Sequence, residues 1–344
     1  SSLFEPWETS FIGIGGYPIV DCEVYDEMLY AAASNNLYCY YGNGWKIFDA
    51  PSFIVSLEYY EGKLVVGAKG GLYTFNGTNF ALVFPDNSYI KPLGVYNSTL
   101  YAGTVLDNPP TLYYCNGSPD NPSNWYIDTD FWAIQDFSGP FGSIDSFAVY
   151  NSVMYVSSGR KLYSFNGTSW SVASSFDDAH AVLDMQVYNS KLYLATRDHA
   201  WRKPLYRGGT GFSGRVIEFD GINWTTTFDH DYWIFSLETY DNKLFVGTVN
   251  KIYTYDGTNW NISFKATEGA YSAISLITFN DQIYVGMGNG YIFADLLPES
   301  RTDLDLPPNT AVPEFPPSSL VPMFALLSLA AIVLTKRYRR KSKK

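Results

Sequence analysis

One phrase recurs seven times along this 344-residue chain, and no other feature limits its fold so tightly. A clear copy reads GKLVVGAKGGLYTFNGTNF, from Gly62. It returns as STLYAGTVLDNPPTLYYCNGS, SVMYVSSGRKLYSFNGTSW, SKLYLAT…GRVIEFDGINW, NKLFVGTVNKIYTYDGTNW and DQIYVGMGNGYIFADL, and the first copy is EMLYAAASNNLYCYYGNGW. Each copy has four strand-length parts. The sixth shows them as SLETYDN (236–242), KLFVGT (243–248), KIYTYDG (251–257) and WNISF (260–264). The joints carry Asn-Gly, Asp-Gly, Asn-Ser or Asp-Asn, residues suited to tight hairpins. Four short antiparallel strands, repeated seven times, predict an all-β chain folded as a seven-bladed β-propeller over residues 1–297.

The aromatic register supports this prediction. Trp45, Phe80, Trp125, Trp170, Trp224 and Trp260 open the fourth strand of six copies. The seventh copy ends near Leu296 without one, but PWETSF (6–11) matches NWTTTF (223–228) and NWNISF (259–264). The N-terminal strand is therefore expected to complete the last blade and close the ring. Composition agrees: 46% of residues are hydrophobic and 18% aromatic, which excludes disorder over most of the chain.

The repeat resembles Kelch-like propellers in the Tyr-to-Trp spacing of Tyr163/Trp170 and Tyr253/Trp260. It departs from them in carrying paired glycines within the repeat phrase only at Gly70–Gly71, and it lacks the Gly-His and Trp-Asp marks of WD40 blades. The resemblance implies a shape and leaves the activity open.

Beyond Leu297 the composition changes. Residues 298–317 hold six prolines and read as a stiff linker. Residues 318–335 (SSLVPMFALLSLAAIVLT) carry no charge. As a helix they would span roughly 27 Å, enough for one transmembrane α-helix in membrane lipid. Residues 336–344 (KRYRRKSKK) hold seven basic residues, which predicts a cytoplasmic tail and an extracellular propeller. The start at Ser1 fits removal of a secretory signal. Pro313, Glu314, Phe315 and Pro316, followed by an apolar span and a basic cluster, are similar to the PEF-type sorting signal of archaeal surface proteins. That resemblance implies an archaeal cell surface and an archaeosortase as a processing partner.

The net charge of −11 hides an asymmetry. Without the seven basic residues of the tail, 16 basic residues face 34 acidic ones, a balance of −18. Such a domain repels phosphate backbones, so nucleic acid is excluded as a partner. Cys22, Cys39 and Cys115 match no zinc spacing, and His180, His199 and His230 form no metal pair. No nucleophile elbow, phosphate loop or EF-hand is present, so neither metal nor cofactor is expected.

Six glycosylation sequons occur, at Asn76, Asn97, Asn116, Asn166, Asn223 and Asn261. Asn-Gly is also ordinary hairpin chemistry. Labelling strands A to D outward from the channel, all six fall at or beside A–B or C–D turns, on one face of the ring. The B–C and D–A loops on the other face carry the insertions. The longest, 197–215, holds Arg197, His199, Trp201, Arg202, Lys203, Tyr206, Arg207 and Arg215. A basic, aromatic loop on an acidic domain is expected to bind an acidic glycan or a neighbouring surface protein, or else to be a solvated hairpin offsetting acidic charge. The last strand ends on the sequon face, which would then turn toward the membrane. These features predict a membrane-anchored surface glycoprotein acting by binding or assembly, as a surface-layer component or adhesin, rather than an enzyme. The alternatives are a glycan hydrolase or lyase using channel carboxylates, and a receptor-binding envelope protein of an archaeal virus.

Overall fold

A computed structural model describes residues 7–12, 16–42, 44–107, 109–135, 142–176, 180–199, 212–265 and 272–295. The chain divides into Ser1–Leu297 and Pro298–Lys344. The linker, the apolar span 318–335, the tail and the Pro313–Pro316 motif lie outside the described residues. Among the described residues no helix is long and apolar enough to cross a membrane.

The first unit is an antiparallel meander of β2 (Asp21–Tyr25), β3 (Met28–Ala33), β4 (Asn36–Tyr40) and β5 (Trp45–Asp49). The same order recurs in β12 (Gly142–Tyr150), β13 (Val153–Ser158), β14 (Lys161–Phe165) and β15 (Trp170–Ser175). It recurs again in β16 (His180–Tyr188) through β17 (Lys191–His199), β18 (Phe212–Phe219) and β19 (Trp224–His230). A further copy comprises β20 (Ile234–Tyr240), β21 (Lys243–Thr248), β22 (Lys251–Tyr255) and β23 (Trp260–Lys265).

The second and third units run together. The first half of β7 (Lys63–Phe75) pairs with β6 (Ile54–Tyr60), and its second half pairs with the start of β8 (Phe80–Tyr96). The chain bends between those halves at Gly70 and Gly71, both at positive φ (88° and 152°), where a side chain would be strained. β8 then continues from the outer strand of the second unit into the inner strand of the third, a junction that the repeat phrase did not reveal. β9 (Thr99–Asp107), β10 (Leu112–Cys115) and β11 (Trp125–Ile127) complete the third unit.

The last unit holds β24 (Ala273–Phe279), β25 (Gln282–Met287) and β26 (Tyr291–Asp295). Its fourth strand is β1 (Trp7–Ile12), which pairs antiparallel with β26 from Trp7↔Asp295 to Ile12↔Tyr291. The expected N-terminal closing strand is therefore present. The inner strands touch in the order β2, β6, β8, β12, β16, β20 and β24, and β24 lies against β2.

Two local rules explain why the phrase folds this way. First, every A–B turn places both central residues at positive φ: Asp26-Glu27, Glu61-Gly62, Asn97-Ser98, Asn151-Ser152, Asn189-Ser190, Asp241-Asn242 and Asn280-Asp281. This is the type I′ geometry whose twist matches the flanking strands. Second, in five units the aromatic opening the outer strand stands directly across from an aromatic ending the third, while Trp125 faces Cys115 and Trp7 faces Asp295. Trp224 stacks on Phe219 at 4.1 Å, Trp260 on Tyr255 at 4.6 Å and Trp170 on Phe165 at 4.8 Å. Such cross-strand pairs add to the stability that burial alone supplies.

Apolar clusters lie between successive units rather than in a single core. Ile19, Leu29 and Tyr38 of the first unit meet Phe279, Tyr284 and Ile292 of the last, for example. A tyrosine closing the inner strand also locks each of five units to the next. The hydroxyls of Tyr60, Tyr96, Tyr150, Tyr188 and Tyr240 donate to the carbonyls of Ser98, Ser152, Ser190, Asn242 and Asp281. Phe279 occupies the same position in the last unit and has no hydroxyl to donate. Tyr188→Phe leaves the carbonyl of Asn242 without this donor and is expected to cost about 1 kcal/mol. Denaturant melts of the variant should show an unchanged slope and a lower midpoint. An unchanged midpoint would remove the lock from the stability of the fold.

Candidate functional site

Two positions on the inner strands carry most of the polar chemistry. Counting back four residues from the closing aromatic gives Asp21, Ser56, Pro92, Ser146, Asp184, Ser236 and Ser275. Several reach the neighbouring unit. Ser56 Oγ donates to the Ile90 carbonyl at 2.8 Å and Ser236 Oγ to that of Ala273 at 3.0 Å. Asp21 Oδ2 accepts from the Leu57 amide at 2.8 Å, and Asp184 Oδ2 from the Leu237 amide at 2.7 Å. The two aspartates thus join units while presenting carboxylates toward the middle of the circuit.

Counting back two residues gives Glu23, Glu58, Gln186 and Glu238 among its polar members. Gln186 Nε2 donates to Glu238 Oε1 at 3.2 Å. Lys91 and Asp145, each one step further back than the first row, and Arg197 at the end of the second strand of the fifth unit join the group. All are half-buried.

The carboxyl groups interact with one another across units, and their protonation follows from their surroundings. Burial raises Asp21 to about 6, opposed by the Leu57 amide and the Lys91 charge. Burial raises Glu23 to about 9, helped by repulsion from Glu58 and Asp21. Glu58 is raised to about 7 by burial and by Asp21. Asp184 and Glu238 each rise to about 7, burial leading in both. Asp145 is also raised by burial, against the charges of Arg197 and Lys91. Six carboxyl groups around two cations cannot all ionise near neutrality. The cluster therefore holds protonated and ionised carboxyls side by side, which suits binding of a cationic group or general acid–base work. Among the described residues no three His, Cys, Asp or Glu side chains are placed to hold a metal ion.

Of the residues predicted from the 197–215 insertion, the structure brings Arg197 into this cluster. Its guanidinium stands 5.5 Å from the Trp233 ring centroid, and its buried Nε has no hydrogen-bond partner among the described residues. Arg215 lies apart from it in β18, with Nε 3.9 Å from Asp229 on the partly exposed outer strand. The His199 side chain and Trp201, Arg202, Lys203, Tyr206 and Arg207 lie outside the described residues. His230 is structural. It packs against Phe228 and Tyr253, and burial lowers its pKa.

The six sequon asparagines are all exposed. Asn97 sits in an A–B turn and Asn76, Asn116, Asn166 and Asn223 in C–D turns, with Asn261 second in β23. Asn76 and Asn166 also shape their turns, each Oδ1 accepting from the amides two and three residues on.

Sequence reasoning missed the carboxylate rows. Aligning the copies on the closing aromatic of the inner strand would have shown them.

Neither a protein-family model nor a curated protein matches the sequence. Solved structures do resemble it. The extracellular domain of the two component system BT4673 from B. thetaiotaomicron has a TM-score of 0.62 at 15% identity, covering 84% of this chain and 40% of that one. The chain thus spans less than half the length of that domain. YCF48 bound to D1 peptide has a TM-score of 0.62 at 12% identity, covering 90% and 99% of the two chains. The N-terminal domain of Nup159 has a TM-score of 0.53 at 10% identity, covering 85% and 94%. At these identities the likeness is one of fold alone: the chain is all-β and propeller-like.

Proposed function

We propose that residues 1–297 form a closed seven-bladed propeller on a cell surface, anchored by a transmembrane helix over 318–335 and acting by binding or assembly through its loop-rich face. The observation that carries this is the difference between the two faces. One is trimmed to two-residue A–B turns in every unit. Its one long connection is 116–124, while the other face carries the two longest, the 128–141 segment with its α1 (Thr129–Ile134) and 200–211. A fold that needs only short turns gains nothing from such insertions, and loops on a rigid scaffold are where contact function concentrates. The described chain ends at Asp295 on the trimmed face, which supports turning that face, with its sequons, toward the membrane. An archaeal origin and a PEF-type signal remain part of this reading through the Pro313–Pro316 motif alone.

Replacing residues 199–212 by a two-residue Asn-Gly turn tests it. The variant should keep its thermal midpoint within about 2 °C and lose ordered packing or adhesion when native membranes are imaged. Undiminished packing and adhesion would remove the loop face from the function.

A second reading is favoured by the central carboxyls, whose raised protonation is what a glycan hydrolase or lyase would require. Turnover of a surface polysaccharide that is lost in Glu23→Gln with the fold retained would establish it over the first.

A further inference from the structure

The third unit departs from the repeat in a way the fold does not require. Across its second, third and fourth strands, Tyr101, Tyr114 and Tyr126 stand directly opposite one another. The same row reads Tyr30, Cys39, Lys46 in the first unit and Tyr155, Ser164, Ser171 in the fourth. In the sixth it reads Phe245, Thr254, Asn261. An aromatic belongs to the second-strand position, and small or polar residues suffice at the other two. Tyr114 and Tyr126 are therefore additions to the propeller.

They form a platform. Tyr114 stacks on Tyr126 at 5.6 Å and 26°, and Tyr101 follows at 6.3 Å from Tyr114. Exposure rises outward, from 6% at Tyr101 to 47% at Tyr126. The ladder opens into a cleft of about 320 Å³ between the third and fourth units, on the trimmed face. Tyr101, Tyr114, Asn97 and Asn116 line one side of it, with Phe165 and Gly167 on the other. Asn116 follows Tyr114 by two residues, so both side chains point to the same side of the sheet. The Asn97 amide nitrogen reaches to 3.7 Å from where a side chain on Gly167 would begin, so a polar group stands at the far end of the cleft.

Flat aromatic faces with a few amide groups are what a pyranose ring recognises, through its axial C–H face and its hydroxyls. We infer that this cleft is a carbohydrate site, and that its occupant is the chain's own glycan attached to Asn116, whose first sugar rings lie against Tyr114, the ring that Tyr126 stacks on and braces. A tether at the edge of the platform supplies the sugar at high effective concentration, so weak stacking is enough to hold it. The inference rests on the glycoprotein reading and is independent of the loop-rich face.

The test uses the full chain purified from its native membrane. Glycopeptide mass spectrometry reads occupancy at Asn116. Thermal midpoints are then compared for the wild type, Asn116→Gln, Tyr114→Thr/Tyr126→Thr and the triple variant, threonine being the residue the sixth unit carries at the third-strand position. The expected result is an occupied Asn116 and a drop of about 2 °C on Asn116→Gln that vanishes in the threonine background. An equal drop in both backgrounds would overturn the inference and leave the glycoprotein reading intact. Unmodified asparagines at all six sequons would overturn both. Glycan at Asn97 and none at Asn116 would overturn the inference alone, as would a soluble oligosaccharide that perturbs the tyrosines of Asn116→Gln as strongly as those of the wild type.

Discussion

Raising the pH from 5 to 8 is expected to lower the thermal midpoint of the propeller by on the order of 10 °C, the reverse of what an acidic protein stabilised by ion pairs would show. The sign follows from the direction in which burial moves each group. Asp21, Glu23, Glu58, Asp184 and Glu238 are all raised above ordinary carboxyl values, to between about 6 and about 9. A raised carboxyl binds its proton more tightly in the folded state than in the unfolded one. Stability is then fully present below the unfolded value near ~4 and is lost as pH rises through the folded value. The window of loss runs from about pH 4 to about pH 9. A tenfold difference in proton affinity between the two states corresponds to about 1.4 kcal/mol. Five groups that each keep such a difference would give about 7 kcal/mol, before discounting for their partial exposure. At the acid end a second set acts oppositely. Asp120 is lowered by the Lys63 ammonium, and Asp220 and Asp256 by turn amides, and their contribution is present above ~4 and lost as pH falls below it. A stability maximum near pH ~4 results. Calorimetry across pH 3–9 measures it directly, and Glu23→Gln should flatten the alkaline limb. A midpoint rising steadily from pH 5 to 8 would mean that the central carboxyls are ionised and paired.

The fold was more legible than the site, and the reason lies in how each is encoded. Trp45, Trp170, Trp224 and Trp260 each pack on an aromatic across a turn a few residues long, so unit after unit writes the same local signal. Even the closing strand could be read, because Trp7 belongs to the same register. The central cluster has no such local signal. Asp21, Lys91, Asp145 and Asp184 come from four units, and each looks in sequence like an ordinary polar residue on an alternating strand. Only the circular arrangement of inner strands brings them together. The insertion 197–215 did stand out by charge, yet Arg197 acts beside Asp145 and Trp233 while Arg215 sits by Asp229, a separation that spacing does not encode. The tyrosine ladder was hidden for a different reason. In a chain with 29 tyrosines, Tyr114 and Tyr126 become unusual only when set against the residues that other units place at the same register.

Gly67→Ala is expected to cost about 3 kcal/mol or more, although it adds a single methyl to a buried strand. Gly67 pairs with Ser56, whose hydroxyl bonds the Ile90 carbonyl of the next unit. A Cβ on Gly67 would fall 2.1 Å from that carbonyl oxygen and 2.2 Å from Ser56 Oγ, so the joint between two units has to open. Overpacking of this kind costs about 1–3 kcal/mol, and losing the buried serine bond adds about 1 kcal/mol. The repeat itself supports the assignment. Ser236 pairs with Gly247 and Ser275 with Gly286, while Asp21 pairs with Ala32 and Asp184 with Ala195. Serine holds this inner-strand position in four units and its partner is glycine in three of them; in the fourth, Ser146 pairs with Ser157, whose own hydroxyl reaches the Val182 carbonyl across the joint. Where aspartate reaches the next unit's amide instead, alanine fits. Gly247→Ala should therefore behave like Gly67→Ala, since its Cβ would stand 2.4 Å from Ser236 Oγ and 2.6 Å from the Ala273 carbonyl oxygen. Ala195→Gly, which merely relaxes the chain, should cost about 1 kcal/mol or less. Chemical denaturation of the three variants separates these cases. Near-equal midpoints for Gly67→Ala and the wild type would show that the joint has slack, and the pairing of serine with glycine would then be accidental.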